Sequence, residues 1–289
     1  MKKEKIIGII LLIICTVIWG SAFSFQTMAK DEIGPFSLIA IRFIIAGVVL
    51  TPIVWIYVKA KKITINWKKT LFGGFLIGAF LAIASIVQQF GITQTSTGKA
   101  GFLTAMYIVF VPVISVLIFR KRLTLLQIIG IIATLVGVGL LSLDNDFSIN
   151  IGDILCLIGS LFFAFQIIGV DKYSKTENGF VLAVVSFYSC GLLALIFSLF
   201  FEKVTITNIQ NAIVPILFLG IGSSAIAYTL QFIGQQKISG VPASIIMSLE
   251  AVFSAIFAWI LLQEVLSPKE IIGAILMMAG VIIVQVFDK

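Results

Sequence analysis

Two ionisable residues lie deep inside apolar stretches of this 289-residue chain, Glu250 and Arg42. Glu250 falls in "SIIMSLEAVFSAIFAWILLQE", with no other charge nearer than Lys237 and Glu264, 13 and 14 residues away. At helical rise that is roughly 20 Å on each side. The carboxylate is thus expected near the middle of a bilayer, where a charge is most costly. Arg42 lies ten residues past Glu32 and 17 before Lys59, somewhat outside the midplane. A carboxylate at that depth can carry a proton or hold a cation, and a guanidinium can hold a carboxylate. The structural alternative is an ion pair between the two that locks one state of the bundle.

A second tier of polar residues lies within apolar runs: Gln26, Gln88, Gln89, Tyr107, Gln166, Tyr188, Tyr228, Gln231 and Ser248. Each can hydrogen-bond a small-molecule substrate or act as glue between helices. Trp19 suits a cavity wall, or a core or lipid-facing aromatic. At about 100° per residue, Ser248 stands well off the face of Glu250, while Ile246 and Ser254 lie near it. The polar partners of Glu250 are therefore expected from other helices.

The elements that carry these residues are set by composition. The chain is 60% apolar and only 11% charged, with a mean hydropathy of +1.17. A water-soluble domain cannot cover that much apolar surface, so the class is an integral membrane protein. Runs long enough to cross a bilayer fall at about 6–29, 34–58, 70–91, 98–119, 124–143, 151–170, 179–201, 211–233, 241–262 and 268–287. They are continuous rather than alternating, which argues for helices over a barrel. The fold class expected is all-α with ten transmembrane helices. The N-terminal run is read as an uncleaved first span because it continues to about Ala29, beyond the length of a signal sequence.

Lys and Arg fall unevenly between the loops. With the N-terminus inside, 15 lie on the cytoplasmic side and four outside, and Arg42 is within a span. Both termini are then cytoplasmic. The same bias accounts for "FRKRLTL" (Phe119–Leu125) without a nucleic-acid or lipid ligand. Pro112, mid-span, is the best candidate for a gating bend. Gly74 and Gly78, and the recurring Gly130/Gly137 and Gly273/Gly280, read as close helix packing.

The chain also matches itself. At a shift of 143, "LLQIIGIIATLVGVGL" falls on "PKEIIGAILMMAGVII", Gln88 meets Gln231, Gly91 meets Gly234 and Ser96 meets Ser239. From Ala84 to Asp144, 14 of 61 ungapped positions are identical. At a shift of 144, Gly8 meets Gly152, Phe43 meets Phe187 and Gly47 meets Gly191. The expected units are 1–146 and 147–289, each of five helices. Five is odd, so the second unit enters the membrane inverted, the design of secondary transporters with a binding site near the midplane.

Trp19-Gly20-Ser21, Arg42-Phe43 with Ala46-Gly47, and "LEAVFSAIFAWILLQEVLSPKEIIGAILMMAGVIIV" resemble the EamA-type branch of the drug/metabolite transporter superfamily. The resemblance covers essentially the whole chain. It implies secondary transport, commonly export of amino acids or other small metabolites from the cell. Two positions depart from the family pattern. Ala251 follows Glu250 where proline is frequent, and Lys121 stands where a glutamate is frequent, while its repeat partner Glu264 is kept.

Rival functions fare worse. A membrane enzyme needs a base, nucleophile or metal cluster, and the chain has no histidine and no carboxylate cluster within its spans. Cys15, Cys156 and Cys190 read as small buried hydrophobes, and there is no phosphate-binding glycine loop. No cofactor or metal is called for. Expected partners are the lipid bilayer, a small-molecule substrate, and protons or a cation. The alternatives are an exporter of lipophilic cations and a non-transporting membrane sensor. The inverted duplication argues against the sensor, because that symmetry suits a two-sided access cycle.

Overall fold

The computed structural model describes residues 2–118, 120, 122–142, 150–263 and 267–284. Lys121, Glu264 and Lys289 lie outside these residues, as do the expected C-terminal ends of the fifth and tenth spans. Among the described residues there are helices and no strands. The first half holds α1 (Lys2–Ala29), α2 (Pro35–Ala60), α3 (Trp67–Ile92), α4 (Thr97–Ala105), α5 (Tyr107–Leu117) and α6 (Leu125–Ser142). The second opens with α7 (Ile151–Tyr173), α8 (Gly179–Phe201) and the short α9 (Ile206–Asn211). Then α10 (Ile213–Leu217) runs through a π-helical segment (Phe218–Tyr228) into α11 (Thr229–Lys237). The chain closes with α12 (Gly240–Met247), α13 (Glu250–Leu262) and α14 (Pro268–Ile282).

Eight of these stretches are long and apolar enough to cross a membrane, counting α4 with α5, α10 through α11, and α12 with α13 as single spans. Two further apolar helical stretches, Leu125–Leu140 and Ile271–Ile282, are shorter. The molecule is a multi-pass membrane protein. Helix starts follow local chemistry. Pro35 opens α2, where its missing N–H costs nothing. Asn150 and Asp153 cap α7 reciprocally at 2.9 Å each. Asn178 accepts from the Phe180 and Val181 amides at the start of α8.

Polarity is arranged for lipid rather than water. Trp55, Phe72, Leu199 and Phe200 are more than half exposed, while Gln89, Gln166, Gln231 and Gln235 are fully buried. Hydrocarbon offers no hydrogen bonds, so amides turn inward to find partners. Other polar contacts gather toward the two ends of the bundle. At one end Lys99 pairs with Asp153 at 2.7 Å and Glu202 accepts from the Phe36 and Ser37 amides. At the other, Lys237 pairs with Glu4 and Gln236 donates to the Ser174 carbonyl.

The sequence-level packing glycines do bring helices together. A Cβ on Gly78 would stand 2.6 Å from the Ser189 side chain in α8. A Cβ on Gly137 would stand 2.6 Å from the Gly273 carbonyl in α14. Two expected spans differ from expectation, because neither is continuous. The run 98–119 breaks at Met106, and the run 241–262 breaks at Ser248–Leu249. Pro112 does not stand at the break. It lies inside α5, six residues beyond the break.

Gly137→Val would set a side chain against backbone that cannot withdraw, costing about 1–3 kcal/mol. Melting of the purified protein in detergent should fall for Gly137→Val. It should hold or rise for Gly98→Ala, whose added methyl meets nothing within 4 Å.

Candidate functional site

Most of the residues singled out by charge and polarity converge on one cavity of about 30 Å³ inside the bundle. From α1 come Trp19, Ala22, Phe23 and Gln26, whose three- and four-residue spacing puts them on one helix face. From α7 come Phe163, Gln166 and Ile167, by the same spacing. Arg42 enters from α2, Gln88 from α3 and Gln231 from α11, while Ser223 and Tyr228 enter from the π-helical segment. The two broken spans complete the wall. Thr104 and Tyr107 flank the α4–α5 break, and Glu250 begins α13.

Arg42 is held by three neutral acceptors. Its Nε donates to Ser224 Oγ at 2.9 Å, Nη1 to Gln26 Oε1 at 3.0 Å and Nη2 to Ser223 Oγ at 2.9 Å. The guanidinium carbon also lies 5.1 Å from the Phe43 ring centroid. A guanidinium has five N–H groups, so one on each terminal nitrogen remains for a further acceptor. Consecutive serines turn about 100° apart in an α-helix. Here both reach the same side chain, from within the π-helical segment. The Trp19 indole N–H donates to the Ser223 carbonyl at 3.3 Å, and its ring packs on Tyr228 with centroids 4.6 Å apart.

Glu250 is in a different condition. It is buried, and its Oε1 has no hydrogen-bond partner in the structure; the same holds for the Tyr107 hydroxyl and for Ser254, one turn further along α13. Tyr107 approaches Glu250 without completing an aligned hydrogen bond. Each break is a single tightened turn. Met106 N–H bonds the Leu103 carbonyl at 3.4 Å, and Leu249 N–H bonds the Ile246 carbonyl at 3.1 Å, three residues back in both cases. The break changes the company of Glu250. A continuous helix leaves it mid-span, whereas here it occupies the first turn of α13, where backbone dipoles favour a carboxylate.

The ion pair entertained as the structural alternative is not formed. Arg42 and Glu250 line the same cavity, yet Arg42 bonds Gln26, Ser223 and Ser224. The wall also includes Trp19, Gln88, Tyr107, Gln166 and Tyr228, as well as the second-tier residues Gln26 and Gln231. Gln166 and Gln231 exchange two amide hydrogen bonds at 3.1 Å each, and Gln88 donates to Thr104 at 2.8 Å. Three residues fall elsewhere, of which Gln89 donates to the Gln26 carbonyl at 3.4 Å. Tyr188 packs on Gly47 at the α2–α8 contact, its hydroxyl 3.1 Å from Thr51 Oγ1. Ser248 bonds back to the Ile245 carbonyl at the break. Phe23, Thr104, Phe163 and Ser223 had no polar or charge signal strong enough to mark them. Phe163 could have been found as the residue one turn before Gln166.

Comparison with known proteins points one way. A model of the EamA-like transporter family matches residues 6–143 and again 150–286. An uncharacterized transporter of Archaeoglobus fulgidus is 31% identical over 277 residues, covering 95% of this chain and 84% of that protein. The uncharacterized transporter YoaV of Bacillus subtilis is 23% identical, covering 93% and 94%. Protein PagO of Salmonella typhimurium is 24% identical, covering 85% and 81%. A solved crystal structure superposes with a TM-score of 0.77 at 15% identity, over 99% of this chain and 98% of that one, a likeness of fold.

Gln26→Leu would leave a buried guanidinium N–H unpaired, at a cost of about 1.5–3 kcal/mol. Gln26→Glu keeps an acceptor. Thermal melting in detergent should therefore fall for the leucine variant and stay near wild type for the glutamate variant.

Proposed function

Because the chain belongs to the EamA-like transporter family, we propose that it is a secondary transporter exporting a small zwitterionic metabolite, such as an amino acid, across the cell membrane. Its ten spans form two inverted five-helix units, 1–146 and 147–289, that alternate access to the central cavity, with both termini cytoplasmic. The observation that carries this reading is the cavity itself. It holds one cation pinned by neutral groups and one buried carboxyl group whose Oε1 has no hydrogen-bond partner, beside the breaks of two spans.

Contacts that exchange under the repeat shift support the inverted units. A Cβ on Gly8 would meet the Lys237 Cβ at 2.9 Å and the Gly234 carbonyl at 3.2 Å. One on Gly152 would meet the Gln94 Cβ and the Gly91 carbonyl, each at 2.8 Å. Gly152, Gly91 and Gln94 are the repeat counterparts of Gly8, Gly234 and Lys237. Likewise Gly47 abuts Tyr188 and Gly191 abuts Ile44, each pair mapping onto the other. Phe43 and its counterpart Phe187 lie 6.0 Å apart, near the axis such a symmetry would require. The break residues Met106 and Leu249 also correspond, as do Tyr107 and Glu250.

In this reading the free N–H groups of Arg42 take a carboxylate, and Glu250 takes an amine or a coupling proton. A volume of about 30 Å³ holds only about two waters. Transport therefore requires the cavity to widen, and the broken spans are the elements built to yield. A second reading, export of lipophilic cations, draws on the aromatic wall of Trp19, Phe23, Phe163 and Tyr228 around an unpaired carboxylate.

The test is transport by purified protein in liposomes, after a thermal-shift screen of amino acids against lipophilic cations. Glu250→Gln should abolish uptake driven by a pH gradient while leaving substrate exchange measurable. Unchanged flux and unchanged pH dependence would remove the coupling role. Arg42→Gln should weaken zwitterion binding roughly 10–100-fold, the worth of one hydrogen bond to a charged group, and spare lipophilic cations.

A further inference from the structure

A second concavity lies on the lipid-facing side, between α5 and α6. It has a volume of about 320 Å³, within the range of ligand clefts, and its wall is wholly apolar. Val113, Val116 and Leu117 form one side; Leu123, Ile128 and Ile132 form the other. Four of these six are at least 40% exposed in addition to the 74% exposed Leu117, so the groove opens outward rather than into the bundle. In a membrane such a groove is filled by an acyl chain.

The chain that joins the two walls adds charge. Arg122 immediately precedes the groove residue Leu123, and Arg120 follows Leu117 by three residues. At 3.3–3.6 Å per residue, Arg120 is within roughly 11 Å of the groove along the backbone. Both arginines are exposed, and neither is paired with a carboxylate among the described residues. At the repeat shift the same segment falls on "LQEVLSP", which carries Glu264 and no cation. The basic cluster is therefore not inherited from the duplication.

We propose that the α5–α6 groove is a binding site for an anionic phospholipid, with one acyl chain between the helices and the phosphate held by Arg120 and Arg122. Loop placement explains the arginines by themselves, but not an apolar groove whose wall residues lie one to three positions from them in the chain. The site is independent of the central cavity and of what is transported. It has a route to it, however. α5 begins at Tyr107 in the cavity wall, so a chain lodged against Val113 and Leu117 bears on the other end of the same half-helix.

The experiment is native mass spectrometry of the full-length protein in mild detergent, with phosphatidylglycerol and phosphatidylcholine of identical chains in competition. Each arginine near a lipid headgroup is worth roughly a fivefold preference. Wild type should retain phosphatidylglycerol preferentially. R120Q/R122Q should lose that preference without a change in melting, and K61Q/K62Q/K68Q/K69Q, at the α2–α3 connection and the first turn of α3, should keep it. V116W/I128W, which fills the groove, should lower retention of both lipids. No preference in wild type, or a preference undiminished in R120Q/R122Q, overturns the proposal whether or not the groove-filling variant folds. Unchanged retention in a folded V116W/I128W overturns the acyl-chain half.

Discussion

A guanidinium inside hydrocarbon must be satisfied by the protein itself, and much of this structure is organised around doing so for Arg42. Three acceptors reach it from two other elements, Gln26 on α1 and the serine pair on the π-helical segment. Meeting that demand sets the position of α1 and the π-helical segment against α2. The Trp19 bond to the Ser223 carbonyl and the Trp19–Tyr228 stack reinforce the same contact. Breaking a buried charge network of this kind is costly because the remaining charge has no water to fall back on.

Glu250 shows the opposite arrangement in the same cavity. Its surroundings supply the first turn of a helix and the nearby Tyr107, but no completed bond to Oε1. A pinned cation and a carboxyl group with an unsatisfied oxygen are suited to different tasks. In the proposed cycle the first serves as a fixed recognition point and the second changes its partner as the cavity opens. The tightened turns at Met106 and Leu249 lie next to that carboxyl group, so in the proposed cycle movement of the half-helices would change its surroundings.

Much of this was legible in the chain. Hydropathy marked the spans, and isolation in an apolar run marked Arg42 and Glu250. Most of the glutamines and aromatics chosen for being polar inside a span did meet at one place. Tyr188 did not, because the same signal describes a residue that packs on a glycine at a helix crossing. Ser248 did not, because a serine can satisfy itself on its own helix. Phe163 and Ser223 were invisible for the converse reason: nothing in an apolar stretch distinguishes a cavity-facing Phe or Ser from a lipid-facing or packing one.

The sequence by itself determined that the protein lives in a membrane, where its helices run, which two charges lie deep within its spans and that its halves correspond. These follow from transfer energies and periodicity, which are local properties. Only the tertiary structure decided that Arg42 and Glu250 do not pair, that the spans break at Met106 and Leu249 rather than at Pro112, and that Glu250 heads a helix. No proline or glycine stands at either break. Such turns are chosen by how neighbouring helices pack, and packing depends on residues far apart in the chain.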